Sequence, residues 1–251
     1  MIHFVGAGPG AEDLITMRGA GMLRKADCVI YAGSLVNPGL LDMTQENCRI
    51  YNSAEMTLEE VIDVMKEMEA EGLDTVRLHT GDASLYGAIR EQMDMLDELD
   101  IEYDDTPGVS SFSGAAAVLM AEYTLPGVSQ SVVITRMAGR TPVPEKENLA
   151  SFAAHDCTMV IFLSTGLLED VSRELIGGGK RADDPAAIVY KATWPDEKVV
   201  HCTVGTLAQA AKDAGINKTA LILVGGFLGD KYERSKLYDP DFETEFREVK
   251  K

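Results

Sequence analysis

Short β-branched runs alternate with helical patterns along most of the chain, and this alternation narrows the fold more than any other feature: it builds βαβ units rather than separate sheets and bundles. Strands are predicted over residues 2–5, 28–31, 49–51, 75–79, 101–104, 131–135, 158–163, 187–190, 199–203 and 220–224. The clearest helix follows Thr57, where Thr57-Leu58-Glu59-Glu60 makes a capping box and Leu58, Val61, Ile62, Met65 and Met68 recur on one stripe. That stripe is a core face. Further helices are expected over residues 88–99 and over the small-residue stretch 111–121. A length of 251 residues suits two α/β lobes or one large domain. The turn punctuation of Tyr123-Thr124-Leu125-Pro126-Gly127-Val128 sets the expected division. It gives an α/β lobe over residues 1–122, a linker over 123–130, and a second α/β lobe over 131–251 that includes a docked tail.

Charge restricts the partners. There are 41 acidic residues against 23 basic ones, a formal net of −18, which weighs against nucleic acid and against an anionic membrane surface. The excess is local: residues 55–105 hold 17 acids and 3 bases, largely on the solvated faces of the two helices there. An acidic interaction module whose partner docks on this block is one functional class. Cys28, Cys48, Cys157 and Cys202 lie far apart with no Cys-x-x-Cys pair, and His3, His79, His155 and His201 are equally scattered. Neither a metal site nor a disulfide framework is indicated, and buried free thiols are expected. With no basic leader before Ile2-His3-Phe4-Val5 and no apolar run near the roughly 20 residues of a membrane span, a cytoplasmic location is expected.

Three strand-to-loop junctions carry the motifs. Gly6-Ala7-Gly8-Pro9-Gly10-Ala11 fits the loose dinucleotide fingerprint. Glu12 and Asp13, however, put carboxylates where a pyrophosphate would sit, and Tyr31-Ala32-Gly33-Ser34 offers no acid for a ribose. The Lys-Ser/Thr of a P-loop is also missing. These glycines either let backbone approach a ligand or make a tight turn, and a nucleotide-binding oxidoreductase stays open as an alternative. The second junction is His79-Thr80-Gly81-Asp82-Ala83-Ser84, at a strand's carboxyl end where α/β proteins gather ligands; Asp82 or Ser84 could instead cap the helix that follows. The third is Thr106-Pro107-Gly108-Val109-Ser110-Ser111. Three such loops in one lobe point to one shared pocket.

In this order the three loops resemble the tetrapyrrole (precorrin) methylase family, and the resemblance covers nearly the whole chain. Ile134-Thr135-Arg136-Met137-Ala138-Gly139-Arg140-Thr141-Pro142-Val143-Pro144 and Tyr232-Glu233-Arg234-Ser235-Lys236-Leu237-Tyr238-Asp239-Pro240-Asp241-Phe242 resemble members acting on carbon 11 of precorrin-4 or cobalt-precorrin-4 in corrin assembly. The resemblance implies two α/β lobes with S-adenosylmethionine bound in the cleft between them, S-adenosylhomocysteine as product, and a homodimer. It implies donor contacts at Pro9, Thr80, Gly81, Asp82, Leu85, Ser110, Ser111, Leu163 and Ala192. The chain departs from the pattern at Ala83, where many relatives have Pro, and at Leu163, where many have Met; leucine conserves the volume. A sister methylase with another precorrin carbon as target, or diphthine synthase, would share the donor site.

Such chemistry needs alignment more than a nucleophilic side chain, because a sulfonium leaves as a neutral thioether and an electron-rich ring carbon attacks by itself. No catalytic residue is assigned. Asp82 faces the donor's ammonium or sulfonium, or caps a helix. The implied substrate is a tetrapyrrole polycarboxylate, which a net charge of −18 repels at long range. Residues 131–200 are near balance, with 8 bases and 10 acids. Arg136 and Arg140, with Lys146 and Arg18, are therefore expected to orient the ring carboxylates, the alternative being solvated or lobe-bridging arginines. No dedicated metal site is legible, and cobalt arriving inside the ring would leave no ligand spacing to read.

Overall fold

The computed structural model describes residues 1–247, so the last four residues of the expected tail, 248–251, lie outside the described residues. The chain forms two compact units. The first comprises Met1–Ala115 together with Lys191–Glu197, and the second comprises Ala116–Tyr190 and Lys198–Lys251.

In the first unit, β1 (Ile2–Gly6), β2 (Cys28–Tyr31), β3 (Arg49–Asn52), β4 (Thr75–His79) and β5 (Tyr103–Thr106) make one sheet in the order β3-β2-β4-β1-β5. Every pairing is parallel. All five residues of β4 are buried, as a strand covered on both faces requires. On one face pack Val5, Leu23, Val29, Val76 and Leu78; on the other Ile2, Phe4 and Ile30 meet the helices. The chain leaves β1 through α1 (Met17–Leu23) toward β2 and leaves β4 through α3 (Arg90–Glu98) toward β5, on the opposite side. The connections therefore reverse direction at the carboxyl ends of β4, β1 and β5, the place where open α/β sheets bind ligands.

The capping box opens α2 (Leu58–Ala70) as expected. Thr57 Oγ1 accepts from the Glu60 amide at 3.2 Å and the Glu60 carboxylate accepts from the Thr57 amide at 2.7 Å. Val61, Ile62, Met65 and Met68 are its buried face. All ten predicted strands form, and β5 begins two residues late for a local reason. Asp100 adopts φ +53° and the Ile101 amide reaches back to the Leu96 carbonyl at 3.0 Å, so residues 100–102 are spent closing α3. That helix starts late as well, since Ala88 sits at φ +50°.

The second unit carries β6 (Val132–Arg136), β7 (Thr158–Phe162), β8 (Pro185–Tyr190), β9 (Lys198–Thr203) and β10 (Ala220–Val224), in the order β6-β7-β10-β8-β9. Only β6 and β7 pair in parallel; the other neighbours are antiparallel. Met159, Ile161, Ile188 and Ile222 form its core with Leu149, Val171, Leu175 and Leu207 of the covering helices. In the tail, the Arg247 guanidinium donates to the carbonyls of Leu237, Asp239 and Phe242, while the Glu233 amide donates to the Pro126 carbonyl at 2.9 Å. Among the described residues no helix is long and apolar enough to cross a membrane.

Candidate functional site

The three loops that follow β1, β4 and β5 meet through glycine. A Cβ on Gly108 would lie 2.1 Å from the Gly81 carbonyl oxygen and 2.7 Å from the Gly6 Cα, while one on Gly6 would lie 2.5 Å from Gly108. Three backbones thus touch at distances no side chain permits. Gly8 and Gly81 exchange amide-to-carbonyl bonds of 3.2 and 2.8 Å, and the Ala7 amide donates to the His79 carbonyl at 2.7 Å. The glycines serve one another's approach first.

This arrangement leaves little for a phosphate. The amides of Ala7, Gly8 and Ala11 already donate inside the chain, and Pro9 has none. The carbonyls of Pro9 and Gly10 accept from Trp194 Nε1 at 3.1 Å and Asn37 Nδ2 at 2.8 Å. A pyrophosphate loop needs several amides aimed outward, and only that of Gly10 is left among the described residues. Glu12 and Asp13 follow, both exposed. The oxidoreductase alternative therefore fails on geometry as well as on residue type.

Asp82 neither caps the next helix nor points away from the protein. Its Oδ2 accepts from the Gly108 amide at 2.8 Å, and its Oδ1 accepts from the Ser84 amide at 3.0 Å and from the Ser84 hydroxyl. The carboxylate ties the second loop to the third, and the helix after it begins only at Arg90 with no side-chain cap. Nearby Asp105 has its carboxyl pushed up by partial burial and by the charges of Asp82 and Asp104. A sheet edge of this sign receives a cation more readily than an anion. Ser110 is buried, and the Ser111 amide lies 3.4 Å from the position of a Gly81 Cβ, so both serines border the same junction.

Beneath the second loop, β4 presents two buried bases to one face. The Arg77 guanidinium donates to Gln92 Oε1 at 3.0 Å and to the Ile30 carbonyl at 3.1 Å, and burial lowers it to about 10. His79 is 4% exposed, and its Nε2 has no hydrogen-bond partner among the described residues. Burial, with the Arg77 charge added, pushes its imidazole down to about 3. His79 is neutral at physiological pH.

In the second unit the paired ends of β6 and β7 set Arg136 beside Phe162. The Arg136 guanidinium is engaged with its own loop, donating to the carbonyls of Met137, Thr141 and Pro142 at 3.3, 3.2 and 2.6 Å. Arg140, at that loop's tip, is exposed and has no hydrogen-bond or ion-pair partner among the described residues. Lys146 is exposed between Glu145 and Glu147. Leu163 is 67% exposed and adopts φ +52°, directly before buried Ser164, whose hydroxyl accepts from the Met137 amide at 2.9 Å. Among the described residues no group of three or more His, Cys, Asp or Glu is placed to hold a metal ion.

The likeness to known proteins is decisive. Residues 1–208 match the profile of the tetrapyrrole (corrin/porphyrin) methylases. The chain belongs to that family. The methylase is 53% identical to a curated cobalt-precorrin-4 C(11)-methyltransferase of Methanocaldococcus jannaschii, over 100% of this chain and 97% of that one. It is 45% identical to a precorrin-4 C(11)-methyltransferase of Sinorhizobium sp., over 98% of each. Among solved structures, it superposes on an X-ray structure of a cobalt precorrin-4 methyltransferase with a TM-score of 0.89 and 45% identity, covering 91% of this chain and 96% of that one.

Pro9, Thr80, Gly81, Asp82, Leu85, Ser110, Ser111 and Ala192 all belong to the methylase's first unit, Ala192 through the segment that joins it. Arg18 stands exposed on α1 of the same unit. Leu163, Arg136, Arg140 and Lys146 belong to the second unit. Sequence reasoning passed over Asn37, Thr193 and Trp194, which fix the first glycine loop. The one available signal was a lone tryptophan in a Trp-Pro turn.

Proposed function

We propose that this methylase transfers a methyl group from S-adenosylmethionine to carbon 11 of precorrin-4 or cobalt-precorrin-4 in cobalamin biosynthesis. The observation that carries the proposal is identity of 53% along the entire chain to a protein named for that reaction. The loops of the first unit fit the donor chemically. S-adenosylmethionine brings an adenine, a ribose and a cationic methionine but no phosphate, and these loops offer saturated backbone, hydroxyls and carboxylates in place of free amides. When bound, it supplies a methyl group on a sulfonium that departs as a neutral thioether.

The chain's own contribution is placement. Thr80, Ser110 and Ser111 bring hydroxyl side chains to the loops of the glycine junction, and Pro9, Leu85 and Ala192, buried or half-buried, are the apolar residues assigned to the donor. Asp82 holds two loops in register, and its charge favours a cationic ligand at the same edge. A preformed junction of this kind lowers the barrier by orienting the reactants, with no general base required. For the ring carboxylates we assign Arg140 and Lys146, the exposed candidates of the second unit, with exposed Arg18 of the first, and with Arg136 shaping the loop that presents Arg140. The same proposal has the enzyme act in the cytoplasm as a homodimer, for which exposed Tyr232, Leu237, Tyr238 and Phe246 provide apolar surface.

The deciding experiment incubates the protein with S-adenosylmethionine and precorrin-4, with and without cobalt, and locates the new methyl by mass spectrometry and NMR. Methylation at another carbon would redirect the proposal to a sister target. Calorimetry with S-adenosylhomocysteine and NAD in parallel tests the donor, and binding of NAD alone would overturn it. Sedimentation equilibrium reads the oligomeric state, and a monomer at micromolar concentration would refute the dimer.

A further inference from the structure

Lys191–Glu197 folds with the first unit and lies across the glycine loop after β1. Trp194 is the chain's single tryptophan. A Cβ on Gly10 would lie 2.0 Å from the indole Cδ1, so the ring occupies the space that any side chain at position 10 would need. The indole N–H donates to the Pro9 carbonyl at 3.1 Å. Over the ring, 5.0 Å from its centroid, sits the Lys191 ammonium, which is held by Asp196 at 2.7 Å. Thr193 makes a second tie: its hydroxyl accepts from the Ala11 amide at 3.0 Å, and its own amide donates to the Glu197 carboxylate at 2.6 Å.

Between these fastenings lies Ala192, 5% exposed, flanked by two residues in left-handed backbone, Lys191 at φ +46° and Thr193 at φ +69°. Neither residue takes that conformation cheaply, so the contacts on both sides must hold it. The same contacts fix Pro9, whose ring would meet a Cβ on Gly114 at 2.8 Å. We propose that Trp194 and Thr193 are positioning residues for the methyl donor: they clamp residues 191–197 to the glycine loop and thereby set where Pro9 and Ala192 meet the ligand. The inference rests on the donor reading above.

A purely structural clamp would lower thermal stability and leave the affinity of the folded protein unchanged. A positioning clamp changes affinity at temperatures where every variant is folded. S-adenosylhomocysteine is titrated calorimetrically into the wild type, Trp194→Phe and Thr193→Val, well below all thermal midpoints. In the wild type, indole emission is followed in the same titration. Phenylalanine keeps an aromatic ring, smaller than the indole, and removes the N–H, and valine keeps the shape and removes the acceptor. Each is expected to weaken binding about fivefold to tenfold, the usual net worth of one hydrogen bond. The wild-type emission is expected to change with a midpoint equal to the calorimetric Kd. Wild-type affinity in both variants would overturn the clamp alone, leaving the donor reading in place. No binding of S-adenosylhomocysteine by the wild type would overturn both.

Discussion

His79 is predicted to remain neutral far below the pH at which an ordinary histidine charges, and this makes the protein's stability fall as the medium is acidified. The imidazole is 4% exposed, its Nε2 has no partner among the described residues, and it stacks on Phe4 with ring centroids 6.2 Å apart. Burial first, and the Arg77 charge second, push it from 6.5 down to about 3. In the unfolded chain it regains its ordinary value. Between those two values the unfolded state binds a proton that the native state refuses, so unfolding becomes easier by about 1.4 kcal/mol for each pH unit lost. Above about pH 6.5 the effect vanishes, and below about pH 3 it is complete. Carboxylates titrate over part of the same window, so the assay compares two proteins. Urea unfolding at four pH values between 7.5 and 4.5 is measured for the wild type and for His79→Phe, which keeps an aromatic ring against Phe4. The wild-type curve should be steeper by about 1.4 kcal/mol per unit below pH 6. Proton NMR adds a direct check, since the ring protons of His79 should show no titration near neutrality. Parallel stability curves, or an ordinary titration of His79, would refute the reasoning.

Gly108→Ala should separate the loop junction, because its Cβ would fall 2.1 Å from the Gly81 carbonyl oxygen; a loss of about 1–3 kcal/mol and of S-adenosylhomocysteine binding is expected by chemical denaturation and calorimetry. Gly21→Ala, in α1 with nothing within 4 Å of the added methyl, should instead stabilise by up to about 1 kcal/mol. Arg140→Ala should raise KM for the tetrapyrrole roughly tenfold or more with little change in thermal midpoint, whereas Arg136→Ala, which frees three loop carbonyls, should lower the midpoint as well. Equal effects of the two would contradict their separation into ligand and scaffold. Thr57→Ala should cost about 1 kcal/mol through the lost capping box and leave turnover unchanged.

Much of the fold was legible because the strands are short, β-branched and punctuated, and because the α2 stripe and its capping box are local signals. The error at β5 came from a backbone reversal at Asp100 that composition does not reveal. The candidate site was legible to a different depth. Its three loops stood out as glycine junctions after strands, but the reason for the glycines did not: Gly6, Gly81 and Gly108 are far apart in sequence and exclude side chains because they face one another. Arg136 illustrates the same limit. Its residue type and loop fit a carboxylate ligand, yet where a guanidinium spends its donors depends on how the loop curls, and here the carbonyls of residues 137, 141 and 142 take three of the five. The contact between Trp194 and Pro9 spans 185 residues of chain, with no local pattern to announce it.

Backbone strain supplies an independent line toward the same loops. Asp100, Met120 and Asp156 hold positive φ just beyond helix ends, and Thr219 does so just before β10, where such turns reverse the chain. The other five non-glycine cases among the described residues, Tyr86, Ala88, Leu163, Lys191 and Thr193, fall in the loop after β4, at the end of β7 and in the segment clamped by Trp194. None of these five closes a helix. Each costs on the order of 1–3 kcal/mol, a large share of the stability of an ordinary domain, and persists only where surrounding contacts over-determine it. Thr193 shows how that is done, with its amide on Glu197 and its hydroxyl on Ala11. Strain without a folding purpose is best explained by what it presents, and Ala192, held between two such residues, is a position for which the family resemblance implies contact with the methyl donor.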